Sequence, residues 1–234
     1  LTNPSLPGMK PPLLALEDIH KEYHPGSRTV AAVRGVTLEI APATFVAIEG
    51  PSGSGKSSLL HLMGCLDRPT SGRVLLWGED VGTLPDHALS RLRGRRIGFV
   101  FQTHNLIPVL TAAENVEYPL RLNRVEASQI HRRVQAALEA VGLTDQATQR
   151  PGELSGGQCQ RVAIARALVG EPDLALADEP PASLDSATGE GIVRLMGEMV
   201  ARFGTTFVVA THDPMVATQA SHRCHLKDGQ LVHP

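Results

Sequence analysis

The 234-residue chain carries 22 Lys and Arg against 24 Asp and Glu, a formal net charge of −2, and 42% of it is hydrophobic. That is length and apolar content enough for one large or two small domains with a real core, and the charge balance excludes a broad basic footprint for nucleic acid. Three scattered cysteines (Cys65, Cys159, Cys224) offer neither a disulfide framework nor a metal spacing, so a reducing cytosol is the default.

No run is long and apolar enough to span a bilayer and no signal-peptide pattern is visible. Residues 1–12 are rich in Pro, Gly, Ser and Asn. They read as a disordered tail or a vector-derived remnant outside the fold, with Met9 a candidate start. "LLALEDI" (13–19) and "AAVRGVTLEI" (31–40) read as strands across a Pro-Gly turn. "FVAIEG" (45–50) is a short buried-strand run, followed at once by a helix expected over 56–66. "GRVLLWG" (72–78) and "RIGFVF" (96–101) are further strands. The basic clusters "RLRGRR" (91–96) and "HRR" (131–133) read as solvated surface.

From about Thr103 to Arg150 the period turns helical, with Ile130, Val134, Ala137, Leu138 and Val141 on one face. This predicts a helical subdomain, about 103–168, inserted into an α/β core. "LSGGQCQRVAIARAL" (154–168) closes it. The strand "DLALAD" follows, then a long helix over 186–203, the strand "TTFVVAT", a short helix "PMVATQA", and a hairpin around Asp228-Gly229. Strands alternating with helices imply a mostly parallel sheet covered on both faces, beside an antiparallel N-terminal portion.

"GPSGSGKSS" (50–58) satisfies G-x-x-x-x-G-K-S/T between an expected strand and an expected helix, the context that defines a P-loop. Gly50, Gly53 and Gly55, with Pro51, Ser52 and Ser54 between them, let backbone N–H groups wrap phosphates. Lys56 reaches the β- and γ-phosphates, Ser57 completes the motif and offers a hydroxyl to Mg²⁺, and Ser58 follows it with a second hydroxyl. "LALADEPP" (174–181) is an apolar strand ending in two acids. Such acids are ordinarily turn or helix-start features, but on the sheet that carries a P-loop Asp178 suits a water-mediated Mg²⁺ contact. Glu179 there can polarise a water for in-line attack. Gln102, after "IGFVF", and His212, in "THD", fall at the same carboxyl edge of the sheet, where ligands of open α/β sheets collect.

The helix headed by Ser155 is unusual. Ser155 and Gln158 form a capping box, yet Gly156 and Gly157 occupy its first turn, each unfavourable by up to about 1 kcal/mol relative to alanine. Two readings of these glycines stand side by side: a flexible helix start without further role, or a surface where an anion comes close to the backbone N–H groups of a helix N-terminus.

With "GPSGSGKSS", "FVFQ", "LSGGQ", "LALADEP", "SLD" and "THD" in this order, residues 13–233 resemble the nucleotide-binding subunit of ABC transporters. The resemblance implies an ATPase with ATP and Mg²⁺ as cofactors, acting as a head-to-tail pair. Ser155, Gly156, Gly157 and Gln158 of one subunit would then touch the γ-phosphate held by the other. It also implies adenine stacking by Tyr23, a D-loop ending in Asp185, Mg²⁺ contacts by Ser57, Gln102 and (via water) Asp178, and catalytic roles for Glu179, His212, Gln102 and Lys56. Partners would be a second copy of the chain and integral membrane permease subunits, with no nucleic acid, placing the protein in the cytoplasm at the inner face of the membrane. A groove lined by Leu106, Ile107, Leu110 and Val116 would receive the permease.

"RRIGFVFQTHNLIPVLTAAENVEYPL" and "GCLDRPTSG" look most like the group of lipoprotein-releasing LolD-type, MacB-type efflux and FtsE-type division ATPases. An FtsE-like ATP-dependent regulator of a membrane assembly is therefore the alternative to a transport subunit. A soluble ABC ATPase acting on DNA or ribosomes lacks support, because the chain has no long coiled-coil insertion, zinc motif or second cassette. Three positions depart from the family pattern: Pro181 for the D-loop threonine, Ser58 for a threonine, and Cys159 for a common glutamine on the helix flank.

Overall fold

Two sheets enclose one helix that follows a strand by a short loop. The computed structural model describes residues 11–26, 28–180 and 186–232. The first sheet is antiparallel, in the order β2-β1-β4-β5, where β1 is Leu14–Tyr23, β2 Val30–Ile40, β4 Ser71–Leu76 and β5 Glu79–Asp80. The second contains β3 (Phe45–Glu49), β6 (Ile97–Val100), β7 (Leu174–Asp178), β8 (Thr206–Thr211) and the hairpin β9 (His222–Lys227) and β10 (Gln230–Val232). Its order is β10-β9-β3-β8-β7-β6. Every pairing in it is parallel except that within the hairpin. β3, β7 and β8 are apolar and buried on both faces, as strands covered by helices must be.

Helix α1 (Lys56–Met63) packs between the sheets; Leu59, Leu62 and Met63 are fully buried in the core that also takes Leu14, Ile19 and Leu76. It stops at Gly64, short of the expected Leu66, because Cys65 turns left-handed at φ 56°. Helix α2 (Asp86–Arg96) has no counterpart in the sequence reading. Its "RLRGRR" end is more than solvated surface. Arg93 donates to the Cys65 carbonyl at 2.7 Å, and Arg96 lies 3.8 Å over the Trp77 ring and pairs with Asp173.

Helices α3 (Ala112–Leu122), α4 (Ala127–Ala140) and α5 (Gly156–Leu168) pack on one another. Ile130, Val134, Leu138 and Val141 are buried on the face that the period predicts. α6 (Ser186–Phe203) and α7 (Pro214–Gln219) cover the face of the second sheet opposite α1 and share their core with α3–α5. Among the described residues no helix is long and apolar enough to cross a membrane.

Register decides where the site lies. Glu49 of β3 aligns with Thr211 of β8, Asp178 of β7 with Ala210, and Val100 of β6 with Ala177. The residues immediately beyond these strand ends therefore emerge along one edge. They are Gly50, His212, Glu179 and, one further, Gln102.

Candidate functional site

The loop 50–55 folds tightly because two of its glycines admit backbone where a side chain would not fit. A Cβ on Gly50 would lie 2.2 Å from the Leu226 carbonyl oxygen, and one on Gly55, at φ 102°, 2.2 Å from that of Ala32. Gly53 has open space around it. Pro51, Ser52, Gly53 and Ser57 are exposed, Ser58 is half-buried and Ser54 is buried. The loop leads straight into α1, so its N–H groups and the helix N-terminus face the same space, a setting that favours an anion.

Lys56 is 5% exposed, and its ammonium is satisfied from within the loop. Nζ donates to the carbonyls of Gly50 at 2.8 Å and Pro51 at 3.0 Å, and stands 3.7 Å from Glu179 Oε1. The same Oε1 is 3.0 Å from His212 Nδ1, and Gln102 Nε2 is 3.5 Å from Oε2, long for a hydrogen bond. Three side chains from three separate segments thus converge on the carboxylate of a fourth. Glu179 holds this place with φ 44°, a left-handed conformation unfavourable for a glutamate, and is anchored by its own N–H to the Ala210 carbonyl at 2.9 Å. His212 is exposed, and the next residue, Asp213, caps α7 through Met215 N.

Beside this cluster, Asp178 Oδ1 is buried with no hydrogen-bond partner, as is Ser54 Oγ. A buried carboxylate oxygen without a donor is unfavourable unless a cation or ordered water meets it. Among the described residues no three His, Cys, Asp or Glu side chains converge as a metal cage. A cation here would therefore rely on oxygens supplied by water and ligand, the coordination that Mg²⁺ prefers.

The capping box at α5 is formed on both sides: Gln158 N donates to Ser155 Oγ at 3.3 Å, and Ser155 N to Gln158 Oε1 at 2.8 Å. Ser155 and Gly156 are exposed and Gly157 half-buried. Cys159, read as a helix-flank residue, is in fact buried, its Sγ 3.5 Å from the Pro151 carbonyl. Asp185 and Pro181 lie outside the described residues. Tyr23 is half-buried at the end of β1, and its hydroxyl donates to Asp67 Oδ2 at 3.0 Å. Val116 is fully buried and cannot line a groove, whereas Ile107 borders an open cleft of about 440 Å³ with Phe99, Phe101, Tyr118 and Leu122. The sequence alone does not show that α3 turns Val116 inward and Tyr118 outward, a choice set by packing on α5.

This P-loop, its facing carboxylate and the capped glycine helix define a nucleotide-hydrolysing cassette. The family model described as ABC transporter matches residues 33–182, and the chain belongs to that family as an ATP-binding ATPase subunit of the kind that energises a membrane transporter. It is 48% identical over 219 residues to an uncharacterized ABC transporter ATP-binding protein of Thermotoga maritima, covering 94% of this chain and 93% of that one. It is 46% identical to the lipoprotein-releasing system ATP-binding protein LolD of Pseudomonas fluorescens, covering 94% of this chain and 97% of LolD. The macrolide export ATP-binding/permease protein MacB of Brucella melitensis is 48% identical over 94% of this chain, which spans only 34% of that longer protein. Among solved structures, the dimeric post-hydrolysis state of the cassette MJ0796 bound to ADP and Pi superposes with a TM-score of 0.88 at 43% identity, over 94% of this chain and 97% of that one.

Proposed function

We propose that residues 13–234 form one ATP-binding domain, with the helical segment 103–168 inserted, that pairs head to tail with a second copy around two ATP molecules. Each pair would energise integral membrane permease subunits at the inner face of the membrane, in a system of the lipoprotein-release or MacB-like type. The observation that carries the reading is the convergence of Lys56, His212 and Gln102 on the Glu179 carboxylate at the mouth of the P-loop.

In this reading the loop N–H groups and Lys56 hold the triphosphate, and Lys56 leaves the carbonyls of Gly50 and Pro51 to do so. Mg²⁺, held by the Ser57 hydroxyl, Gln102 and, through water, Asp178, would draw charge from the transferred phosphoryl oxygens. The unpartnered Asp178 Oδ1 fits that role. Glu179 orients the attacking water and takes its proton; His212 fixes the carboxylate through Oε1 and reaches the γ-phosphate side. Ser155 and Gly157 of the partner copy complete the site, their helix N-terminus facing the charge that develops. Tyr23 stacks on the adenine.

The permease would dock in the cleft between β6 and α3, where Tyr118 (43% exposed) and Leu122 (66%) are apolar and open. The test is purification of the tagged chain from detergent-solubilised membranes. Recovery of an integral membrane permease whose presence raises the ATPase rate is expected. A chain that recovers no permease and hydrolyses ATP at full rate alone contradicts the transport reading.

A further inference from the structure

Tyr23 does not hang free at the end of β1. Its hydroxyl donates to Asp67 Oδ2 at 3.0 Å, and Lys21, two residues back on the same face of the strand, places Nζ 4.9 Å from its ring centroid. The same ammonium donates to Asp67 Oδ1 at 2.7 Å and to the Arg68 carbonyl at 2.8 Å. Asp67 Oδ1 also accepts from the Arg68 amide at 2.7 Å. Both oxygens of one carboxylate are therefore engaged, one on the tyrosine and one on the cation beside it.

The turn that carries Asp67 is itself pinned to β1. Thr70 N donates to the His20 carbonyl at 2.8 Å, and Glu22 N to Thr70 Oγ1 at 3.0 Å. Asp67 is 44 residues from Tyr23 in the chain but rigidly placed relative to it. A tyrosine ring with a free hydroxyl explores several χ1 and χ2 positions; one hydrogen-bonded at its far end to a fixed carboxylate does not.

We propose that Asp67 and Lys21 are positioning residues that lock the Tyr23 ring in its base-stacking orientation before nucleotide arrives, so that recognition of the purine depends on a latch remote from the phosphates. The inference rests on the reading of Tyr23 as the residue that stacks on the base. Immobilising a rotamer-rich side chain on binding weakens association by a factor of about 2 to 10, and the latch removes that loss in advance. Its effect is confined to the base: the triphosphate is held by the 50–58 loop, in which neither Asp67 nor Lys21 takes part.

The experiment is titration calorimetry of the full chain with ATP and, separately, with inorganic tripolyphosphate, on the parent and on Tyr23→Ala, Tyr23→Phe, Asp67→Ala and the Tyr23→Ala/Asp67→Ala pair. Thermal unfolding of each confirms that it is folded. Tyr23→Phe keeps the ring and loses only the bond to Asp67, so it stands even where Asp67→Ala does not fold. ATP binding is expected to weaken about 2- to 10-fold in Tyr23→Phe and Asp67→Ala, with tripolyphosphate binding unchanged. The Asp67 change should add nothing once Tyr23 is alanine. If Tyr23→Ala weakens ATP binding while Tyr23→Phe and Asp67→Ala do not, the latch is wrong and the stacking reading stands. If Tyr23→Ala binds ATP like the parent, the stacking reading fails and takes the latch with it. Equal losses for ATP and tripolyphosphate would place the effect in the fold of the loop and overturn the latch.

Discussion

Arg166, near the end of α5, gives both arms of its guanidinium to backbone carbonyls of the loop after Gln102: Nη1 to Asn105 at 2.6 Å and Nη2 to His104 at 2.7 Å. Both loop residues are left-handed, at φ 60° for His104 and 49° for Asn105. Two adjacent non-glycine residues in that region persist only when the surroundings hold them. Asn115, fully buried, holds the next stretch by accepting from Ile107 N at 2.8 Å and donating to the Ile107, Leu110 and Thr111 carbonyls. The loop that aims Gln102 at Glu179 is thus tied to the helix that Ser155 begins. Arg166→Met is expected to lower the unfolding free energy by about 2 kcal/mol and to cut turnover while sparing ATP affinity. Arg166→Lys should recover only part, having no planar fork. Urea denaturation and steady-state ATPase check this; parental stability and turnover in Arg166→Met would refute it.

Ser155→Arg should separate binding from pairing. Ser155 is exposed, and among the described residues its side chain serves to cap α5, so the stability loss is expected to be about 1 kcal/mol. ATP affinity should remain parental, since the P-loop is built within one chain, while ATP-dependent dimerisation disappears from size-exclusion profiles. A variant that still pairs with ATP sinks the contact across the interface.

Tyr118→Asp and Leu122→Asp address the permease cleft. Both positions are open, so folding and basal hydrolysis should shift by no more than about 0.5 kcal/mol, whereas stimulation by the reconstituted permease should be lost. Val116→Asp is the internal contrast: at full burial it should unfold the chain. Undiminished stimulation in both cleft variants would move the docking surface elsewhere.

Thiol chemistry offers a check on packing. Burial pushes the Cys65 thiol up to about 11, and the nearby Arg93 and Arg68 charges offset only part of it; burial raises Cys159 and Cys224 too. A disulfide reagent at pH 8 should therefore leave Cys65 unmodified in the native protein and react fully after denaturation, because only the thiolate attacks. Rapid native labelling of Cys65 would contradict the packing under α2.

Acid stability should carry the signature of Asp67. Burial pushes its carboxyl up, but bonds from Lys21, the Arg68 amide and Tyr23 outweigh this and hold it below the ordinary 3.8. A depressed carboxylate stabilises the fold at pH above its unfolded value, and that stability is lost as pH falls through its folded value. Asp67→Asn should melt lower than the parent near pH 6, and the two should converge as pH falls through the depressed folded-state value of Asp67. A gap that persists in acid would mean that the carboxylate's charge is not what matters.

The parts of this architecture that were legible in the sequence are those whose signals are local. The P-loop is one continuous stretch between a strand and a helix, the α5 cap is set by residues three apart, and α4 shows its buried face as a period. The unread parts depend on partners far along the chain. α2 buries only Leu89, so no apolar period marks it; it is oriented by Arg93 on Cys65 and Arg96 on Trp77. The tie between Tyr23 and Asp67 spans 44 residues, and nothing near either residue announces it. Val116 and Tyr118 look equally able to face a partner until α5 is in place.

The most direct test of the whole account is Glu179→Gln. The amide keeps the shape and a contact to His212 but cannot take a proton from water, so turnover should fall at least about 100-fold while ATP affinity is retained. The paired form should then accumulate with ATP in size-exclusion chromatography. A Glu179→Gln protein that hydrolyses ATP at the parental rate and never pairs would contradict the account at its centre.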